Sequence, residues 1–429
     1  MNDMKCKAFC IVKDFISKNS KIVITSIVVN IAWIVVMNII YADHLDGIDF
    51  GIYYTISADW AKNGFANTYN EAYWHEQELM PWRYFPFFLM IFSIITTLPM
   101  PIAYTAWMMI EIASLIICVA CMWKMMEIMQ CTPTKKAGIL MMGFLLMWLP
   151  IDCLNIGNVG IIIGCLGMVS LYCFIVKKEA IGCILIGLSI MIKPVLIVIA
   201  ILLILSLGKK EMVKRSIFVS AFLVPDVIIF LFHQEMLHDF ISVNFTNDPF
   251  YGCFRLGSIS FMNIIALFND STFLPQVIAL ACCVVYGLVI FSKMQTRDEK
   301  YLSIFAIGSF AYLIIFPDVW TSQLMFIFPF WFMYIQKEMK GSKQMYINLS
   351  VYVALLYVKG NMLYFFYFIG SIPDFGEWSL SLIYIEPSVL IIIVIGLIIS
   401  VLTMIEFLTF ALPLIKKAMH SSLGSMKNS

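Results

Sequence analysis

Two acids follow the first long apolar run of the chain, in Asp46-Gly-Ile-Asp49-Phe50, and the pair Tyr53-Tyr54 comes directly after them. A carboxylate just beyond the end of a membrane helix lies where lipid headgroups meet water. A carboxylate at that depth can take a proton from a hydroxyl, which is general-base chemistry. Asp is also a favoured helix cap, so Asp49 equally suits the start of a helix at Phe50. The two roles are compatible.

Cations come next. In Trp82-Arg83-Tyr84-Phe85-Pro86, Arg83 is able to grip a phosphate with two parallel hydrogen bonds, or to anchor the chain at the interface. His75, Glu76 and Glu78 are close by in sequence and read as surface residues. Lys193 lies within an apolar run, Ile190-Met191-Ile192-Lys193-Pro194. An ammonium at that depth is costly, which favours a function over simple snorkelling. Pro194 frees a backbone carbonyl and bends a helix, so the cation beside it suits a buried anion such as a lipid phosphate. Asn155-Ile-Gly157-Asn158 reads as a turn and helix cap as readily as a binding element. Arg255, with Ser258, Ser260 and Asn263, is a second phosphate candidate or a solvated loop arginine. Pro317-Asp318-Val-Trp320-Thr-Ser-Gln323 joins two apolar runs, and Trp320 fits an interfacial aromatic belt.

These residues need a scaffold, and composition says which kind. The 429 residues are 62% hydrophobic and 13% charged, with a mean hydropathy of +0.91. A soluble domain carries roughly 25% charged residues. Lipid is therefore the solvent for most of this chain, and its fold is a polytopic, all-α bundle. The net charge of +1 gives no sign of a nucleic-acid partner. Cys118 and Cys121 have C-x-x-C spacing within an apolar helix and read as packing residues. The first apolar run follows five lysines and has no small-residue cleavage site, so it reads as a retained signal-anchor helix.

Apolar runs near 20 residues mark spans at 22–42, 102–123, 158–176, 180–206, 216–232, 272–292, 301–316, 322–336, 345–369 and 387–414. Weaker runs at 84–98 and 137–151 bring the count to about twelve. By the positive-inside rule the lysine-rich N-terminus, the loops around Lys209, Lys293 and Lys337, and the tail with Lys416 are cytoplasmic. The same count sends Lys135, Lys136, Lys177 and Lys178 outside, against the rule, and leaves Asn158 on the cytoplasmic side. The whole chain, 1–429, reads as one integral domain with three long outer loops: 43–83, 233–262 and 370–386. The first mixes acids with tyrosines and tryptophans. That composition is not one of disorder, and it predicts one or two short juxtamembrane helices. No repeat of 20–50 residues, Walker loop or dinucleotide fingerprint is present in the sequence.

The order of these motifs resembles glycosyltransferase family 87, membrane enzymes of the GT-C fold that use polyprenyl-phosphate sugars. The segments concerned are DFGIYY, RYFPFF, NIGNVGIII, GLSIMIKPVLIVIAILLIL, GSISFMNII and FPDVWTSQ, which together cover roughly residues 45–335. The resemblance implies that Asp49 is the general base, with Lys193 as the intramembrane lysine before proline and Asn158 as the asparagine of the fifth-span motif. Asp46, Tyr53, Tyr54, Arg83, Tyr84, Asn158, Lys193, Arg255, Trp320 and Gln323 then line the substrate site. The family often has Gln before the asparagine, where this chain has GNVG, and histidines in the late motif, where it has Thr321, Ser322 and Gln323. Those departures bear on the sugar and the acceptor more than on the fold.

The implied reaction is an inverting transfer of a hexose, most often mannose, to a lipid or glycan acceptor on the outer face. A sugar phosphate is already a good leaving group, so no metal or other cofactor is demanded. Two other classes compete. A lipid-linked glycan flippase or transporter would favour charges facing one cavity and internal repeats, whereas Glu111, Lys193, Asp226 and Glu406 lie on four different runs. A repeat-unit polymerase or ligase of surface polysaccharide would favour arginine pairs outside, whereas the first two loops have one arginine each.

Overall fold

In the computed structural model the described residues are 2–40, 49–76, 82–206, 209–245, 273–294, 296–316 and 319–338, with the isolated positions 258, 260–262, 265 and 398. The expected spans 345–369 and 387–414 (Ile398 apart), the expected loop 370–386, and Asp46, Glu78, Arg255, Asn263, Pro317 and Asp318 lie outside them. Every described element is helical. Among the described residues three helices are long and apolar enough to cross a membrane, or five if two bent pairs each count as one span. Twelve spans are not reproduced.

The chain forms two compact units. The first comprises residues 1–196, 213–240 and 322–340. It contains α1 (Asn2–Lys18), α2 (Ser20–Ile40), α3 (Asp49–Asn63), α4 (Glu71–Glu76), α5 (Pro86–Phe92), α6 (Met100–Ile128), α7 (Lys135–Gly143), α8 (Ile151–Ile156), α9 (Gly160–Ile175) and α10 (Glu179–Ile192). The second comprises 197–212, 241–321 and 341–429 and contains α11 (Ile197–Leu205). Further along the chain come α12 (Lys209–Ser220), α13 (Val224–Phe232), α14 (Gln234–Phe245), α15 (Phe273–Lys293), α16 (Arg297–Ile315) and α17 (Phe328–Glu338).

The axis of the first unit is α6, whose 29 residues span about 43 Å. A proline in its first turn sets it off where the missing N–H costs nothing. At its far end Lys18 and Lys124 both pair with Glu127, at 3.4 and 2.9 Å, and Lys337 donates to Met129 O at 3.0 Å. Near its start, Tyr104 donates to Leu154 O and Trp107 Nε1 to Gly157 O, each at 3.0 Å. From Trp107 to Glu127 is 20 residues, about 30 Å along the axis and close to one hydrocarbon thickness. Helix α9 lies along α6 and turns back into α10 through Lys177, whose φ of 63° closes the hairpin. Glycines at 160, 164 and 167 make a flat stripe on α9. A Cβ there would stand 2.7 Å from Ser322 O, 2.5 Å from Met325 O and 2.9 Å from the Phe330 ring. The stripe lets the 3-10 turn Thr321–Phe326 and α17 approach backbone to backbone.

In the second unit α11 packs against α15 and α16. A Cβ on Gly308 would lie 2.5 Å from Ile199 Cγ1, and one on Gly287 2.6 Å from Leu202 Cδ2. A capping box begins α16: Thr296 Oγ1 accepts from Glu299 N at 3.3 Å, and Glu299 Oε2 from Thr296 N at 3.4 Å.

Two expectations about spans need correction, and one weak run is borne out. Residues 84–98 are not a span: the seven-residue α5 covers only about 10 Å and gives way to a 3-10 turn, Ile95–Thr97. Residues 180–206 are not one helix. Lys193 is extended, at φ −150° and ψ 130°, because the ring of Pro194 disfavours the α region for its neighbour. Helix α10 stops at Ile192, and Lys193 stands at the break between two apolar helices. The weak run 137–151, by contrast, belongs to a continuous 20-residue apolar helix, Ala137–Ile156, that passes through a π turn at Phe144–Trp148.

The order of the helices also sorts the lysines of the first unit from its acid and amide. Lys135 and Lys136 follow the far end of α6, and Lys177 and Lys178 follow the far end of α9. All four therefore fall toward the end of the unit that holds Lys18 and Lys124. Asn158 falls at the opposite end, with Asp49.

Candidate functional site

The site is built on the turn between α8 and α9. Gly157 is left-handed, at φ 67° and ψ 33°, and Asn158 N–H reaches back to Cys153 O at 3.0 Å. That bond closes a glycine-terminated helix end of the Schellman type. A Cβ on Gly157 would come within 2.6 Å of Phe50 Cβ, so only glycine lets α3 sit this close. Beyond the turn, the Asn158 side chain has one arrangement open to it. Its Oδ1 accepts from Gly160 N at 2.9 Å, which turns Nδ2 toward Asp49. Nδ2 donates to Asp49 Oδ2 at 2.5 Å. Asn158 is 3% exposed, so the amide is held by its surroundings and holds the carboxylate in turn.

Asp49 is the first residue of α3, where the positive end of the helix dipole favours a carboxylate. One turn on, Tyr53 is buried in an aromatic cage of Trp82, Tyr84, Phe88, Phe92 and Trp107, with ring centroids between 5.1 and 6.4 Å. The Tyr53 and Tyr84 hydroxyls share a hydrogen bond of 2.6 Å. Burial, reinforced by Tyr84 and then Asp49, holds the Tyr53 phenol well above its ordinary value. Lys193 Nζ stands 5.4 Å from the centroid of the Tyr84 ring, a cation–π distance. Tyr84 O in turn accepts from Tyr69 OH at 2.6 Å. A continuous row runs from Asn158 through Asp49, Tyr53 and Tyr84 to Lys193, with Arg83 next to Tyr84 in the chain.

Other expected residues stand apart from this row. Tyr54 donates to Leu98 O at 2.8 Å and ties α3 to the turn before α6. Asn155 accepts from Trp33 Nε1 and ties α8 to α2. Gln323 is 3% exposed in the 3-10 turn whose Ser322 O accepts from Cys153 Sγ at 2.7 Å, and its own Oε1 is without a hydrogen-bond partner. Trp320 belongs to the second unit. Three contributors carried little sequence signal. Trp107 and Gly157 fix the turn that presents Asn158, and Asp226 Oδ1 accepts from Phe87 N at 2.7 Å beside Tyr84. Gly157 was foreshadowed by the Gly-Asn step, and Asp226 only as an acid within an apolar run. Among the described residues no group of three or more His, Cys, Asp or Glu is set to hold a metal ion.

Apolar helices of spanning length and a polar row at one end of the first unit define a helical membrane protein with a buried, ordered site. Its family can also be stated. The model of glycosyltransferase family 87 matches residues 82–317, more than half of the chain, and the chain belongs to that family; it is a membrane glycosyltransferase. The match takes in Arg83, Tyr84, Asn158, Lys193 and Arg255, begins after Asp49, and ends before Trp320 and Gln323. No curated protein and no solved structure matches the chain.

Proposed function

We propose that the protein transfers a hexose, mannose first among the candidates, from a polyprenyl phosphate to a hydroxyl of a lipid or glycan acceptor on the extracytoplasmic face. Asp49 accepts the proton of the acceptor hydroxyl as that oxygen attacks the anomeric carbon. The bond from the anomeric carbon to the phosphate oxygen breaks, and the polyprenyl phosphate leaves with the electron pair. Lys193, over the Tyr84 ring, and Arg83, next to Tyr84 in the chain, meet its charge. A single in-line displacement inverts the anomeric centre.

The observation that carries this reading is the 2.5 Å bond from Asn158 to Asp49. A carboxylate oriented by an amide that is itself fixed by the backbone is a preorganised base, and Tyr53 and Tyr84 link it to a cation suited to a phosphate. The choice of face follows from charge. Lys18, Lys124 and Lys337 gather about 30 Å along α6 from the site, and lysine-rich ends belong in the cytoplasm. On this assignment the N-terminus is cytoplasmic, and Lys416 and Lys417 favour the same side for the C-terminus.

The test is purified protein in bilayers with radiolabelled polyprenyl-phosphate mannose and membrane lipids. Label in a new product with the opposite anomeric configuration is expected. Product with retained configuration would overturn the single displacement. No product with mannose, but product with another polyprenyl-phosphate hexose, would change the sugar alone.

A further inference from the structure

Helix α5 begins with Phe85 at its cap position, and Phe85 offers no side-chain hydrogen bond. Pro86 has no N–H to satisfy. The first exposed donor is therefore Phe87 N–H, and it is met from 139 residues away by Asp226 Oδ1 at 2.7 Å. Asp226 is 2% exposed and lies in the first turn of α13, after Pro225. One carboxylate thus serves the positive ends of two helices, its own and α5. The same side of the unit is sealed by Phe240, which stacks on Phe85 at 5.1 Å and meets Tyr69 at 5.5 Å. Tyr69 in turn bonds Tyr84 O.

We infer that Asp226 is a positioning residue for the donor phosphate. By accepting the Phe87 N–H it fixes the strip Trp82–Phe88, and so the place of Tyr84 against Lys193 and of Arg83 next to it in the chain. This rests on the sugar-transfer reading above. Asp226 touches neither sugar nor acceptor and acts through the backbone of the strip. A donor whose phosphate meets a loosened strip binds more weakly, while the base and its amide are unaffected.

The experiment compares wild type with Asp226→Asn, whose side-chain carbonyl can accept the same N–H, and with Asp226→Leu, which keeps volume and removes the acceptor. Hydrogen exchange of the 82–92 peptide is read first, without substrate. Slow exchange in wild type and Asp226→Asn, with faster exchange in Asp226→Leu, is expected. Transfer kinetics come second. Asp226→Leu is expected to raise the KM for donor about 10-fold or more, with a smaller change in kcat, since a weakened grip on the donor is lost equally from ground and transition state. Asp226→Asn is expected to stay within about threefold of wild type. If Asp226→Leu does not insert, Asp226→Ser, which keeps a shorter acceptor, takes its place with an intermediate exchange rate expected. Unchanged exchange, or faster exchange with an unchanged donor KM, would overturn the proposal. Equal losses in Asp226→Asn and Asp226→Leu would also overturn it, because charge rather than the accepted bond would then matter. Absence of transfer by the wild type would count against the sugar-transfer reading and leave the exchange comparison to decide the capping.

Discussion

Asn158 donates to Asp49 at 2.5 Å while accepting from the Gly160 backbone at 2.9 Å, so an acid contributed by α3 is aimed by the turn that precedes α9. Removing the amide should leave the acid present and badly aimed. We expect Asn158→Ala to lower kcat on the order of 100-fold with a small change in donor KM. Asn158→Asp would set a second carboxylate against the first and should do no better. Steady-state kinetics of both variants in bilayers would check this.

Gly157 is under two demands at once, a left-handed backbone and contact with Phe50. An alanine there bears a left-handed cost of about 1–2 kcal/mol. It also pushes against α3, because its Cβ would stand 2.6 Å from Phe50 Cβ. Gly157→Ala should lower the melting temperature and abolish most transfer together. Alanine at Gly64, which is also left-handed but has open space around it, should affect stability alone.

The sequence made Gly157 and Asn158 visible as a turn because Gly-Asn after an apolar run is a helix-end signal. It could not say that Trp107 holds the turn, since that bond joins residues 50 apart with no shared pattern. The break at Lys193 was legible in Pro194, yet the unbroken apolar run from 180 to 206 suggested a single span. Hydropathy sees composition, and only the backbone shows that the chain turns there. Residues 84–98 failed for the converse reason. They are apolar enough, but Ser93, Thr96 and Thr97 bond their own backbone three residues back and end the helix. With that run out of the count, Asn158 stands at the same end of the first unit as Asp49.

Lys193 Nζ stands 5.4 Å from the Tyr84 ring centroid, and on the proposed reading its ammonium meets the donor phosphate. Lys193→Met keeps the length and apolar stem of the side chain. It should raise the donor KM at least tenfold and leave protein yield near normal. Lys193→Arg should recover part of the loss, since the charge returns on a planar group of different shape. Transfer assays at varied donor concentration separate the two.

Tyr53 and Tyr69 should shape the alkaline limit of stability. Burial holds both phenols above their ordinary value, with Tyr84 and Asp226 adding to it respectively. The folded chain therefore keeps these protons where the unfolded chain loses them. That stability is complete below about pH 10 and falls as pH rises beyond it. Tyr53→Phe and Tyr69→Phe should each flatten the loss of melting temperature between about pH 9 and pH 11. A slope equal to wild type in both would refute the prediction.

Glu111 is fully buried on α6, one turn beyond Trp107. A charge is expensive in such a place. Glu111→Gln keeps shape and removes the need to bury a charge, so melting temperature should hold or rise. Glu111→Ala opens a cavity and should destabilise by about 1–3 kcal/mol.

The decisive measurement is sugar transfer by Asp49→Asn, with correct insertion verified. Asparagine at 49 keeps a carbonyl for Asn158 to donate to, so the turn and α3 should stand while the proton acceptor is gone. The account predicts that this variant binds the polyprenyl-phosphate donor with near-normal affinity and transfers sugar at least about 1000-fold more slowly. Transfer at the wild-type rate would contradict it.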